Sequence, residues 1–227
     1  MKKHSDVHLP AVWERLSGDD ALGTMSAIVG DEAGFSGKGG MVVVAAASGY
    51  WDALSASGIA GLADAPVLMT ATESLSDATK AELVRLQPSQ VIICGGPFSV
   101  SQDVADQIQE VTGTAPVRIA GESATGTAAR IAKEAKARTG GTWSSTGLLA
   151  TNAGYWDALA IAPYAYHGRC PIFLSEGADS VSEETISAMR EVGIFELYIV
   201  GGELSVSPAV KAQLEGAGIR EIGRAHV

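Results

Sequence analysis

The sequence predicts an α/β protein made of tandem Rossmann-like three-layer modules with mainly parallel sheets. An internal repeat of about a hundred residues predicts the tandem, and short buried-strand runs alternating with helix-length segments predict the class. Gly49-Tyr50-Trp51-Asp52-Ala53-Leu54 recurs as Gly154-Tyr155-Trp156-Asp157-Ala158-Leu159, 105 residues later. Ala65-Pro66-Val67-Leu68-Met69-Thr70 matches Cys170-Pro171-Ile172-Phe173-Leu174-Ser175 at the same offset. Val91-Ile92-Ile93-Cys94-Gly95-Gly96 with Ser99-Val100-Ser101 matches Leu197-Tyr198-Ile199-Val200-Gly201-Gly202 with Ser205-Val206-Ser207 at 106. Arg15-Leu16-Ser17-Gly18 echoes in Arg118-Ile119-Ala120-Gly121, and a threonine follows each, Thr24 and Thr127. The units are expected at 12–114 and 115–220.

The elements follow in order. The run 41–47 is continuously apolar, as a strand buried on both faces requires. Gly49 ends it, and 51–63 carries apolar residues at helical spacing (Leu54, Gly58, Ile59, Leu62). A short strand at 66–70 precedes an amphipathic helix at 76–86 with Ser76 as its N-cap. A strand at 91–94 breaks at Gly95-Gly96, and Ser101 opens a helix to about 111. Arg118-Ile119 begins the next unit, with a helix over about 125–138. The second unit repeats the order: strand 147–151, helix 155–167, strand 171–174, helix 182–192, strand 197–200, helix 207–214. Strands joined through helices imply right-handed βαβ crossovers.

Composition narrows the function. Apolar residues make up 46% and charged residues 19% of the 227, which describes a filled core and excludes disorder. No apolar run is long enough for a membrane span. The net charge of −10 and the lack of a basic cluster exclude nucleic acid as a partner. Cys94 and Cys170 lie in apolar runs at non-equivalent positions and read as small buried residues, not a disulfide or a metal pair. The lysines near the N-terminus precede no apolar stretch, so no signal peptide is expected in this chain. Residues 221–227 correspond to a translated sequencing adapter. They are expected to be a non-native tail on an array that otherwise continues.

Candidate chemistry is sparse. Asp52 and Asp157 each follow a buried strand at the start of a helix. They are either ligand-facing groups at the carboxyl end of a sheet or acids that favour the helix dipole, and the second role needs no ligand. Gly95, Gly96 and Ser101, with Gly201, Gly202 and Ser207, form either an anion-holding loop or a tight turn. Neither copy has the spacing of a dinucleotide or triphosphate loop. The aromatics Tyr50, Trp51, Tyr155 and Trp156 suit sugar stacking or inter-module packing equally. His167 sits at a helix end, where a dipole contact accounts for it. No catalytic constellation, zinc spacing or cofactor motif is present, so a non-enzymatic array is expected.

These motifs resemble the cell wall-binding repeat 2 family of Gram-positive surface and secreted proteins. The resemblance rests on the Arg-x-x-Gly and downstream Thr, the Asp-Ala-Leu segments, Pro66–Thr70 and Pro171–Ser175, and the Gly-Gly…Val-Ser pairs, over about 12–220. It implies non-covalent anchoring at the cell surface through an anionic wall polysaccharide, with no cofactor and with an effector domain elsewhere in the full-length protein. It implies anchoring roles for Pro66, Val67, Leu68, Met69 and for Pro171, Ile172, Phe173, Leu174. Arg15 and Arg118 are the local donors that would offset the repulsion between two anions. The chain departs from the family pattern at Asp19-Asp20-Ala21 and Glu122-Ser123-Ala124, where Asp-Arg-Tyr is usual. The family also implies a third repeat, packed with the others about a pseudo-threefold axis. The competing reading is a nucleotide-sugar or other small-molecule enzyme on duplicated Rossmann-like halves, and a plain structural spacer is the third.

Overall fold

The computed structural model describes residues 14–31, 34–141 and 143–225. The first round of elements is α1 (Ala21–Gly30), β1 (Met41–Ala46), α2 (Trp51–Ser55), α3 (Ser57–Leu62), β2 (Val67–Thr70), α4 (Asp77–Leu86), β3 (Gln90–Cys94), α5 (Gln102–Thr112) and β4 (Val117–Ile119). The second is α6 (Ala124–Arg138), β5 (Thr146–Thr151), α7 (Trp156–Gly168), β6 (Ile172–Ser175), α8 (Glu183–Val192), β7 (Glu196–Val200), α9 (Pro208–Gly216) and β8 (Arg220–Ala225). The strands form two four-stranded parallel sheets, β2-β1-β3-β4 and β6-β5-β7-β8. The three-layer α/β tandem expected from the sequence is present.

Burial on both faces explains the unbroken apolar strands. Val42, Val44 and Ala46 of β1 pack with Leu83, Leu86, Val104 and Ile108 of α4 and α5. Val43 points the other way, onto Ile59 of α3 and Ile131 of α6. β5 alternates in the same manner, with Leu149 among α8 and α9 residues and Leu148 and Ala150 against α7. Helix α6 joins three of these cores through Ala129 and Ala132, through Ile131 and Ala135, and through Ala128. Alanine on so many sides lets neighbouring elements approach closely.

Three elements were absent from the sequence reading. β4 and β8 are short edge strands, and α1 contains Gly23, which dilutes its helical pattern. β4 pairs with β3, so the opening motif of the second sequence unit closes the first sheet. β8 pairs with β7 in the same way and takes in 221–225 of the expected tail; the last two residues lie outside the described ones. The helix expected over 51–63 is two helices, with the N–H of Ala56 drawn to the carbonyls of both Asp52 and Leu54.

The modules meet along α3 and α7. A Cβ on Gly58 would collide with the carbonyl oxygen of Cys170, and one on Gly61 with that of Tyr166. Two chain segments can approach so closely only where a side chain is missing. Trp51 donates its indole N–H to the carbonyl of Asn152 at 2.9 Å, and Arg169 pairs with Asp64 at 3.4 Å across the same seam.

Candidate functional site

The strand order places the topological switch of each sheet between β1 and β3 and between β5 and β7, where open α/β folds take their ligands. Here the crevice is filled from within. At Gly95, φ is +118°, and a Cβ there would lie 2.5 Å from Oδ2 of Asp52. Gly201 has φ +104° and likewise abuts Asp157. Burial raises the pKa of Asp52, and a hydrogen bond from Ser99 partly offsets the rise. Each acid therefore ties its strand-to-helix joint to the loop after the neighbouring strand.

The glycine loops are tight turns. Ser99 and Val100 both donate their backbone N–H to Gly96 O, at 2.9 and 3.0 Å, and Ser205 and Val206 do so to Gly202 O at 3.0 Å each. The Ser101 hydroxyl accepts from Val104 N as the N-cap of α5, while its own N–H goes to Thr72 O. Ser207 caps α9 in the same way and donates its N–H to Ala178 O. The guanidinium of Arg118 reaches across from β4 and donates to the carbonyls of Gly95 (2.9 Å), Val100 (2.8 Å) and Ser101 (3.2 Å). Arg15 is exposed ahead of α1.

The rest of the opening motif has a local cause. Gly18 N donates to the Thr24 hydroxyl at 3.1 Å and Gly121 N to that of Thr127 at 3.0 Å. A Cβ at Gly18 or Gly121 would strike the backbone of Gly23 or Gly126. Asp20 and Ser123, where the sequence departs from the family pattern, are the N-caps of α1 and α6.

The two Pro-led segments differ in access. Pro171, Ile172, Phe173 and Leu174 are sealed in the second core. Pro66 and Leu68 are buried, while Val67 and Met69 are half-buried. These last two line an apolar groove of about 440 Å³ with Met25, Ile28 and Phe35.

The aromatics come together. Tyr50 lies 4.1 Å from Trp51 and 5.0 Å from Tyr155, and Tyr155 lies 3.7 Å from Trp156, centroid to centroid. This four-ring run crosses the module seam at the carboxyl ends of both sheets, and Trp156 is 66% exposed at its end. Phe98 and Leu204, equivalent positions in the two glycine loops, are 100% and 97% exposed. Sequence reading missed both, because an isolated apolar residue in a loop carries no periodic signal.

The two cysteines are free and buried. Burial pushes both thiols up, Cys170 to about 11, so neither is a thiolate at neutral pH. Among the described residues, no group of three or more His, Cys, Asp or Glu is placed to hold a metal ion. No helix among them is long and apolar enough to cross a membrane.

The model of cell wall binding domain 2 (CWB2) matches residues 15–105 and 118–211. The chain belongs to the CWB2 family. Its two CWB2 modules are 36% identical over 172 residues to the N-acetylmuramoyl-L-alanine amidase LytC of Bacillus subtilis, covering 76% of this chain and 33% of that protein. The amidase enhancer of the same organism is 30% identical over 166 residues, 73% of this chain and 21% of the relative. Among solved structures, Cwp6 from Clostridium difficile superposes with a TM-score of 0.81 at 30% identity, over 92% of this chain and 33% of that one. The CWB2 pair thus spans less than half of the length of the curated relatives named here. CWB2 membership makes the tandem a pair of cell wall binding domains.

Proposed function

We propose that the chain anchors a surface or secreted protein non-covalently to the cell wall, by holding an anionic secondary wall polysaccharide. The observation that carries the polysaccharide is the aromatic run from Trp51 to the exposed Trp156 on modules of a wall-binding family. Ring faces suit the C–H faces of sugars, and the run lies where parallel sheets present ligands. Arg15, an accessible member of the sequence-predicted set, adds a cation. The small-molecule enzyme is not favoured, because at both switch points a carboxylate stands where a phosphate would sit.

The reading includes a third module as partner. Leu159 and Tyr164 are 105 residues from Leu54 and Ile59, which pack in the cores around the seam, yet both are exposed. Ile28 of α1 corresponds to Ile131 of α6, which is buried against the first module, while Ile28 is 50% exposed. On this reading each end of the pair offers one half of the same contact. An effector domain elsewhere in the full-length protein would carry the activity.

Sedimentation with purified walls, before and after acid removal of the polymer, tests the anchoring. Retention should fall on stripping, and Trp156→Ala should weaken it about tenfold (~1.4 kcal/mol). Retention unchanged by stripping sinks the polymer as ligand.

A further inference from the structure

A second cleft, away from the aromatic run, lies between the edge strand β4 and helix α6. It measures about 340 Å³ and is lined by Val117, Arg118, Ile119, Ala120, Arg130, Lys133 and Glu134. Three cations and one acid line it, in a chain whose net charge is −10. The acid is already engaged, since Glu134 accepts from Arg138 Nε at 2.8 Å. Two of the cations are held in place. Arg118 is fixed by its three carbonyl contacts, and Lys133 is steadied by Glu191 at 2.9 Å. Arg130 is exposed and has no polar partner among the described residues. Held cations lining one cleft with an uncommitted guanidinium are what a phosphate or carboxylate needs, because the cost of gathering the positive charges is met in folding.

We propose that this cleft binds an anionic group, phosphate or carboxylate, of the wall polymer. The proposal rests on the anchoring reading above and adds to it a place for the charge. It resolves how a strongly acidic protein holds a polyanion. Long-range repulsion is screened beyond roughly 8 Å at physiological salt, so a local cluster decides the contact. The cleft belongs to one module only. The positions of α1 that match Arg130 and Lys133 at the 103-residue offset from Arg15 to Arg118 are Ala27 and Gly30. The volume lies near the lower bound of ligand clefts, roughly 300 Å³, enough for one charged sugar and no more.

Two probes test the proposal on the whole chain: short-chain polyphosphate and polygalacturonate, each titrated while backbone amide signals are followed by NMR. One or both should move the signals of 117–120 and 130–134, with affinity falling as salt rises. The double variant Arg130→Gln/Lys133→Gln should bind that probe and the wall three- to tenfold less well. Lys80→Gln, an exposed charge on α4, should match wild type. If neither probe moves those signals, or if the double variant is retained on walls as well as wild type, the cleft assignment is overturned while anchoring stands. Wild type that is not retained on walls at all sinks the anchoring reading, and with it the polymer as the cleft's ligand.

Discussion

At the scale of single residues, the molecule turns apparent functional groups into joints. Asp52 is the clearest case: a carboxylate pressed against a left-handed glycine, with burial raising its pKa from 3.8. A raised acid binds protons more tightly in the folded chain than in the unfolded one. Its contribution to stability is thus fully present below the unfolded pKa and is lost as pH rises through the folded value. Asp52→Asn keeps an acceptor for Ser99 and removes the charge. The variant should unfold at no lower denaturant concentration than wild type at pH 7, and the difference should shrink toward pH 4. A variant clearly less stable at pH 7 would mean that the charge itself holds the joint. Both readings of Asp52 were open in the sequence, because a spacing cannot show that the residue facing it is a glycine 43 positions away. The burial of Ile172, Phe173 and Leu174 was hidden for a related reason: β6 is capped by α6, a helix whose contact set depends on both modules.

At the scale of elements, strand and helix order was legible wherever the core imposed a period. The apolar runs of β1, β3, β5 and β7, the amphipathic α4 and the serine-capped helices α5, α8 and α9 all carry that signal. β4 and β8 carry none, because three- to six-residue edge strands obtain their order from a neighbour's hydrogen bonds. The split between repeat and module has the same origin. A repeat begins at an Arg-x-x-Gly whose arginine serves the preceding sheet, so Arg118 secures a loop of the first module from the start of the second. The packing of α3 on α7 yields the sharper prediction. Gly61→Ala places a methyl group on the backbone of Tyr166, and Gly58→Ala places one on Cys170. Each should cost about 1–3 kcal/mol, as overpacking does, through separation of the helices. Gly216→Ala, in the last turn of α9 with open space around its Cβ position, should be neutral or slightly stabilising. Denaturant midpoints of the three variants decide it; equal midpoints for Gly61→Ala and Gly216→Ala would mean that α3 and α7 are not tightly packed.

At the scale of the whole molecule, equivalent residues of the two modules meet at the seam, Tyr50 with Tyr155 and Asp64 with Arg169, each 105 positions apart. Beside that line, α6 of the second module packs on α2 and α3 of the first, so the contact also joins two unlike faces, and in the proposed array each end of the pair offers one of them. The donor face carries Leu159 and Tyr164, and the acceptor carries Ile28 beside the groove lined by Val67 and Met69. Apolar surface of this kind is stabilised when covered, at about 25 cal/mol per Å². In the isolated pair, the second copy nearest to hand supplies the complementary face, so sedimentation velocity should show association that grows with concentration. Leu159→Glu on one face and Ile28→Glu on the other should each abolish it, and mixing the two variants should restore only limited pairs, because each retains one intact face. That asymmetry separates a head-to-tail contact from a two-fold dimer, in which two copies of the same face meet and the mixture recovers nothing. A pair that stays monomeric at high concentration would overturn the proposed third-module contact on these faces.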